Sequence, residues 1–361
     1  MNYLSSALAL GAALWASQAS AQTSVQVYGL VDGALARITN ANAAGDAVTK
    51  VPSATGTLPS RIGFRGSEDL GNGLQAFLVL ESGFALDTGT SGQGNRLFGR
   101  GANVGLKGAW GALTLGRQNN MTAYATLKSD ILGPQLFSIS SIDLYLPNAR
   151  SDNAIGYLGS FSGWTLGATY SVGRDASAAG GAAGTNCAGE VAGNAKACRQ
   201  YTALLGYETP RFGINASFDR LYGNTGAGNG LTSSSHNDTY TTVNGYLMLG
   251  STKIGGGIID RERNAATGRM ESILYYVGAS HPIGRFVLDA QVAKRDTRRS
   301  IDDVTMVVAR LTYPLSKRTA LYASVARIDN DGVSAVALDL GGTVGVGLAQ
   351  NGVMTGIRHA F

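Results

Sequence analysis

The side chains best suited to acid–base, nucleophilic or metal chemistry in this chain are its three histidines, and their placement argues against all three roles. A nucleophile needs a base within hydrogen-bond reach and a third group to orient that base. His236, with Asp238 and Ser233 to Ser235, is the one stretch that holds those types together, and it lies in a polar link between patterned segments. His281 falls in a short turn and His359 close to the C-terminus, so the three cannot converge on a metal ion. The glycine run Gly341-Gly342-Thr343-Val344-Gly345-Val346-Gly347 does not lead from a strand into a helix, the context a dinucleotide cradle requires. No catalytic residue, cofactor site or metal site is expected, and the chain does not read as an enzyme. Cys187 and Cys198 lie in a Gly/Ala/Asn-rich segment without a neighbouring His. In an exported protein they read as a disulfide, closing a loop of about ten residues and worth on the order of 2–3 kcal/mol.

The remaining chemistry is fixed charge. In Arg61-Ile62-Gly63-Phe64-Arg65 the two arginines share one face of an extended segment, and Ile62 and Phe64 take the other. Such a segment needs apolar surroundings on one side and water on the other.

The same period of two recurs along the chain. Trp164, Leu166, Ala168, Tyr170 and Val172 alternate with Thr165, Gly167, Thr169 and Ser171, and comparable runs begin at Phe212, Phe286 and Val307. Short connections, such as Asp69 to Gly73, Trp110-Gly111, Pro210-Arg211 and Ser316 to Arg318, take turns with long polar links. The long links are Thr39 to Pro59, Ala85 to Gly99, Asn119 to Arg150, Arg174 to Cys198, Gly223 to Asn237 and Asn330 to Ala349. Short turns at one end and long loops at the other describe a transmembrane antiparallel β-barrel, and the segments predict sixteen strands. A soluble sandwich also alternates, but nothing in it demands this order of loop lengths. Val353, Thr355, Ile357, His359 and Phe361 share one face of a last strand, with Phe361 placed for an interfacial aromatic girdle.

Composition agrees. Gly makes up 51 of 361 residues, roughly twice the usual share of about 7%, which suits tight turns and close strand packing. Hydrophobic residues, at 44%, are too many for a disordered chain. The net charge of +5 is spread without a like-charged block, so nucleic acid is not an expected partner. Leu8 to Ala16 is apolar but shorter than the about 20 residues a spanning helix needs, and Ala19-Ser20-Ala21 forms an A-x-A cleavage site. Residues 1–21 are therefore expected to be a signal peptide and 22–361 the barrel, although no Lys or Arg precedes the apolar run.

Several stretches resemble the general porins of Gram-negative bacteria, of the betaproteobacterial kind: VQVYGLVD (25–32), SRIGFRGSEDLGNG (60–73), ESGF (81–84), RGANVGLKG (100–108), LGRQ (115–118) and RHAF (358–361). They follow one another in the family's order across the whole mature chain. The resemblance implies a sixteen-stranded barrel in the outer membrane, surrounded by lipid and assembled as a homotrimer, that passes small hydrophilic solutes and ions. It also implies a third loop folded inward, within Asn119 to Arg150, that opposes acids to basic wall residues. The corresponding constriction residues are Arg61, Arg65 and Arg117 on the wall and Asp130 and Asp143 on the loop, with Arg100 and Arg150 as weaker wall choices. Lumen-facing Arg61 and Arg65 also follow from lipid exclusion, since a guanidinium on the lipid face costs about 2–4 kcal/mol near the midplane. Arg117 shares parity with Leu113 and Leu115, so a bulge or strand end must turn it inward. Glu81, Asp219, Asp289 and Arg310 read as general wall polarity. Two other readings stay open: a substrate-specific channel, with Tyr124, Phe137 and Tyr145 along the path, and a plugged barrel acting as an adhesin or structural protein.

Overall fold

Period-two alternation becomes a wall with a lipid side and a water side. In β1 (Ser24–Ile38), Val25, Val27 and Leu35 are exposed outward, whereas Leu30, Asp32, Ala34, Ala36 and Ile38 are buried inward. The structure, a computed structural model, describes residues 24–54, 56–134 and 136–361; the expected leader lies outside them. Among the described residues the hairpins are β2 (Arg61–Gly71) with β3 (Leu74–Gly83), β4 (Gly101–Gly108) with β5 (Gly111–Asn119) and β6 (Ala154–Phe161) with β7 (Trp164–Ser171). They continue as β8 (Gln200–Glu208) with β9 (Phe212–Tyr222), β10 (Asn237–Leu249) with β11 (Thr252–Ala265) and β12 (Gly268–Ile283) with β13 (Phe286–Thr297). The last are β14 (Val304–Pro314) with β15 (Thr319–Asn330), and then β16 (Gln350–Ala360). Two further stretches, Val48–Lys50 and Arg150–Ser151, pair locally with β1 and β5 and add no wall.

The wall is antiparallel and closed. One edge of β1 pairs with β2 from Ser24↔Ser67 to Leu30↔Arg61, and the other with β16 from Leu30↔Ala360 to Ile38↔Gly352. Closure follows from the solvent: lipid offers no hydrogen-bond partners, so every strand must find its own on both sides. The long links fall at one end, with two departures, the first being the six residues 298–303 between β13 and β14. In the second, Ala266 and Thr267 join β11 to β12 at that end in only two residues, where Gly268 takes a φ of 108°. Cys187 and Cys198 are bonded, with an S–S distance of 2.07 Å, within the long link between β7 and β8.

The terminal residue seals the seam. Gly29 and Phe361 exchange N–H···O bonds of 3.1 Å in both directions. The Phe361 ring lies over Gly29 so closely that a β-carbon there would sit 2.2 Å from the ring and 2.8 Å from the Arg61 carbonyl. Overpacking of this kind costs about 1–3 kcal/mol. Gly29→Val should therefore lower the temperature at which the folded barrel loses its compact migration on SDS gels, whereas the same change at exposed Asn351 should not; equal behaviour would remove this seam as a closing constraint.

Candidate functional site

The barrel interior is partly filled by the link from β5 to β6, which turns inward as two short helices, α1 (Met121–Thr126) and α2 (Ile139–Ile142). Asn120 caps α1, its Oδ1 accepting from the N–H groups of Thr122 (3.1 Å) and Ala123 (3.4 Å), and Ser138 caps α2. The loop carries an apolar stripe, Leu132, Leu136, Phe137, Ile139, Ile142 and Leu146, each at most 7% exposed. It packs on apolar wall residues that face inward, among them Ile38, Tyr276, Met306, Val308 and Ile328. Burying each such side chain contributes about 1.5–3 kcal/mol, enough to hold a loop within a water-filled lumen. Two wall glycines make the approach possible: a β-carbon at Gly255 would lie 2.4 Å from the Ser129 carbonyl, and one at Gly352 would lie 2.5 Å from the Phe137 ring.

Polar wall residues fix the register of the loop. Asp219 on β9 accepts from Tyr145 (2.5 Å), Gln200 (2.7 Å), Thr122 (3.0 Å) and Asn120 (3.4 Å). Arg310 on β14 bonds Asp289 (2.9 Å) and donates to the carbonyl of Leu132 (2.8 Å). The Tyr276 hydroxyl donates to Asn244 (2.8 Å) and shares a bond with Ser129 (2.7 Å). Asp32 does the same for the first long link, accepting from the N–H groups of Thr57 (3.0 Å) and Leu58 (3.1 Å) and from the Tyr322 hydroxyl (2.5 Å). Asp219 and Arg310, which read as plain wall polarity, are thus attachment points of the loop, and Asp289 holds Arg310 in place. Their position on inward faces was legible; their partners, 74 to 178 residues away, were not.

With the loop in place, the lumen is a chain of cavities. One of about 450 Å³ opens among the long links, between Ser60, Phe84, Leu144 and Pro147. Another of about 300 Å³ runs toward the short turns, between Glu81, Asn103, Thr114 and Tyr124. Arg100 lines both, which places it at the neck. Glu81 lies beside it and accepts from Arg100 (2.6 Å) and from Tyr28 (2.8 Å), with Arg61 at 3.5 Å. Arg65 stacks on Tyr28, 4.1 Å from the ring centre. Arg150 donates to the Arg100 carbonyl (3.1 Å) and to that of Pro147 (2.8 Å). Glu81 thus holds two guanidiniums, Arg61 and Arg100, while Arg65 and Arg150 beside them have no carboxylate partner among the described residues.

The five residues expected to form the constriction do not all meet there. Arg61 and Arg65 do. Arg117 binds the Gly99 carbonyl (2.7 Å) and Asp152 instead. It follows Gly116, whose φ is 106°, and the register against the next strand slips by one residue between Leu115↔Ile155 and Gln118↔Ser151. That slip is a bulge of the kind its parity demanded. Asp143 pairs with Arg261 (3.3 Å), a residue of β11, and Asp130 lies against Gln291 and the backbone beside Arg310. Phe137 is 1% exposed and belongs to the loop's packing rather than to a path. Arg100, expected as a weaker wall choice, and Glu81, expected as general wall polarity, come together here. Both stand at strand ends, where alternation no longer says which way a side chain points.

Burial pushes the Asp130 carboxyl up to about 7, against the ordinary 3.8, with Gln291 and the backbone N–H groups of Gly133 and Leu132 opposing the shift only in part. The folded state therefore holds this proton more tightly than the unfolded chain. Its contribution is fully present below about pH 4 and is lost as the pH rises through about 7. Thermal midpoints measured from pH 4 to pH 8 should fall more steeply in the wild type than in Asp130→Asn. Parallel curves would show that this carboxyl is not proton-linked to folding.

The closed sixteen-stranded wall is shared with known proteins. The model of the Gram-negative porin family matches residues 5–333. Outer membrane porin protein 32 of Delftia acidovorans is 30% identical over 385 aligned residues, covering 99% of this chain and 99% of its own length. Among solved structures, the anion-selective porin from Comamonas acidovorans superposes with a TM-score of 0.77 at 24% identity, covering 94% of this chain and 100% of that one. The trimer form of OmpT, an outer membrane protein of Vibrio cholerae, gives 0.67 at 15% identity, covering 94% and 99%. The chain belongs to the Gram-negative porins and is a β-barrel channel of the outer membrane.

Proposed function

We propose that small hydrophilic solutes and ions cross this porin by passive diffusion, and that its neck favours anions. The observation that carries the reading is the position of Arg100, common to the cavities on either side, with Arg61, Arg65 and Arg150 around it and Glu81 as the one acid among them. Fixed charge at the narrowest section sets which ion pays less electrostatic work to pass. Arg117, held by Asp152, and Asp143, held by Arg261, are engaged away from this neck, and Asp130 is buried against Gln291. The structural relative described as anion-selective supports the sign. A homotrimer is proposed on the same footing, from the relative solved in trimer form; three equal conductance steps per insertion would support it.

The test is the reversal potential of the refolded protein in a planar bilayer under a KCl gradient. A guanidinium about 10 Å from a passing ion is worth about 0.4 kcal/mol through water, reduced further by salt. Arg61→Gln/Arg100→Gln should thus lower the chloride-to-potassium permeability ratio by about three- to fivefold, and Glu81→Gln should raise it. Ratios indistinguishable from the wild type would remove the neck as the selectivity filter.

A further inference from the structure

A second cluster of arginines faces a neighbouring cavity, which shares Leu144, Gly181, Ala182 and Gly341 with the one above the neck. This cavity, of about 340 Å³, is enclosed by the α2 segment, by β9 to β11 and β13, and by the last long link. Four arginines line it, and two of them are neutralised. Arg261 is held by Asp238 (2.6 Å) and Asp143 (3.3 Å), and Arg174 lies 3.4 Å from Asp175. Asp339, a third lining acid, is taken by Lys50 (2.5 Å).

Arg263 and Arg295 have no carboxylate within ion-pair distance among the described residues. Arg263 reaches only the sulfur of Met270 (3.4 Å), and Arg295 only the Ile142 carbonyl (3.4 Å). The Nε atoms of Arg174, Arg263 and Arg295 and the hydroxyl of Tyr240 are all buried without a hydrogen-bond partner, and all four residues line this one cavity. Buried donors left unmet cost free energy that an acceptor recovers. Beside the polar Ser141, Thr185 and Asn229, one wall of the cavity is apolar: Leu221 (5% exposed), Leu231 (2%) and Ala337 (8%), with Tyr145 stacked on Tyr240 at 4.7 Å between centroids. Orphaned cationic donors beside an apolar and aromatic wall match an anion with a hydrophobic body.

We propose that this cavity is a binding site for a small organic carboxylate, with Arg263 and Arg295 taking the carboxylate and the Leu221–Tyr240 wall taking the carbon skeleton. The proposal deepens the reading of the channel as anion-favouring, since it names the class of solute that would pause above the loop. An apolar wall gives nothing to a fully hydrated ion, so inorganic phosphate should bind more weakly than an aryl carboxylate of lower charge.

Calorimetry on the folded protein in detergent, with sodium benzoate as probe and inorganic phosphate as comparison, tests this without requiring conduction. Its failure is therefore distinguishable from failure of the diffusion reading. The expected result is saturable binding at one site per chain. The dissociation constant should rise about tenfold or more, the loss of a charge-assisted bond, in Arg263→Gln/Arg295→Gln. A similar loss is expected in Leu221→Trp, which fills the apolar wall and leaves every charge in place. Should Leu221→Trp fail to show the SDS-resistant migration of a folded barrel, Ala337→Phe fills the same space from the last long link. Three results would overturn the proposal: benzoate binding that does not saturate, phosphate binding as tightly as benzoate, or unchanged affinity in the folded cavity-filling variant. The last would reduce the cluster to a diffuse positive field.

Discussion

The lumen takes its shape from one carboxylate. Asp219 gathers four donors at once: two from the inward loop at Asn120 and Thr122, one from the far end of that loop at Tyr145, and one from the wall at Gln200. Because the first and last parts of the loop meet on the same side chain, the segment between them must arch across the barrel rather than extend into the medium. A neutral or shorter group there would leave several buried donors unmatched, each worth about 1–3 kcal/mol. The apolar stripe from Leu132 to Leu146 then supplies adhesion, but it has no directional preference of its own. The hydrogen bonds at Asp219, Arg310 and Tyr276 decide where that adhesion acts.

This explains an otherwise odd feature of the wall. A water-filled barrel needs a polar interior, yet Ile38, Met306, Val308 and Ile328 point inward and are at most 2% exposed. They are the counterpart of the loop's stripe, so the barrel has in effect two apolar surfaces, one for lipid and one for its own third loop. The opposite wall, from β2 to β5, faces no such stripe and keeps its charge: Arg61, Arg65 and Arg100 remain beside water. The loop thus divides the lumen into a packed side and a conducting side, and the neck forms where the packing ends.

Much of this was legible in the sequence. Alternation settled which residues of each strand face lipid, and loop lengths separated the two ends of the barrel. The parity of Arg61 and Arg65 placed them in water, and the parity conflict at Arg117 foretold the bulge that the register slip shows. The pairing of Cys187 with Cys198 followed from count and spacing. What stayed hidden depends on contacts between distant elements. An aspartate on an inward face looks the same whether it meets water or four donors, so Asp219 could not be told from ordinary wall polarity. Asp130 and Asp143 looked like opponents of the wall arginines because both are acids on the inward loop. Which way a loop acid points is set by the arch, and the arch turns Asp143 toward Arg261 on the packed side.

The distribution of partners also bears on why a positive lumen is tolerated. Guanidiniums cannot shed their charge, so each must be paired, hydrated or hydrogen-bonded by carbonyls. At the neck, Arg150 uses carbonyl oxygens of Arg100 and Pro147, and Arg61 lies against the Pro59 carbonyl (2.9 Å). Carbonyl contacts satisfy the donors while leaving the net charge in place, whereas carboxylate contacts cancel it. On the packed side the opposite choice is made at Arg261, which two aspartates hold. Positive potential is therefore conserved where the path is narrowest and removed where a residue serves only to fasten the loop, and the same bookkeeping leaves Arg263 and Arg295 as the uncancelled cations above it.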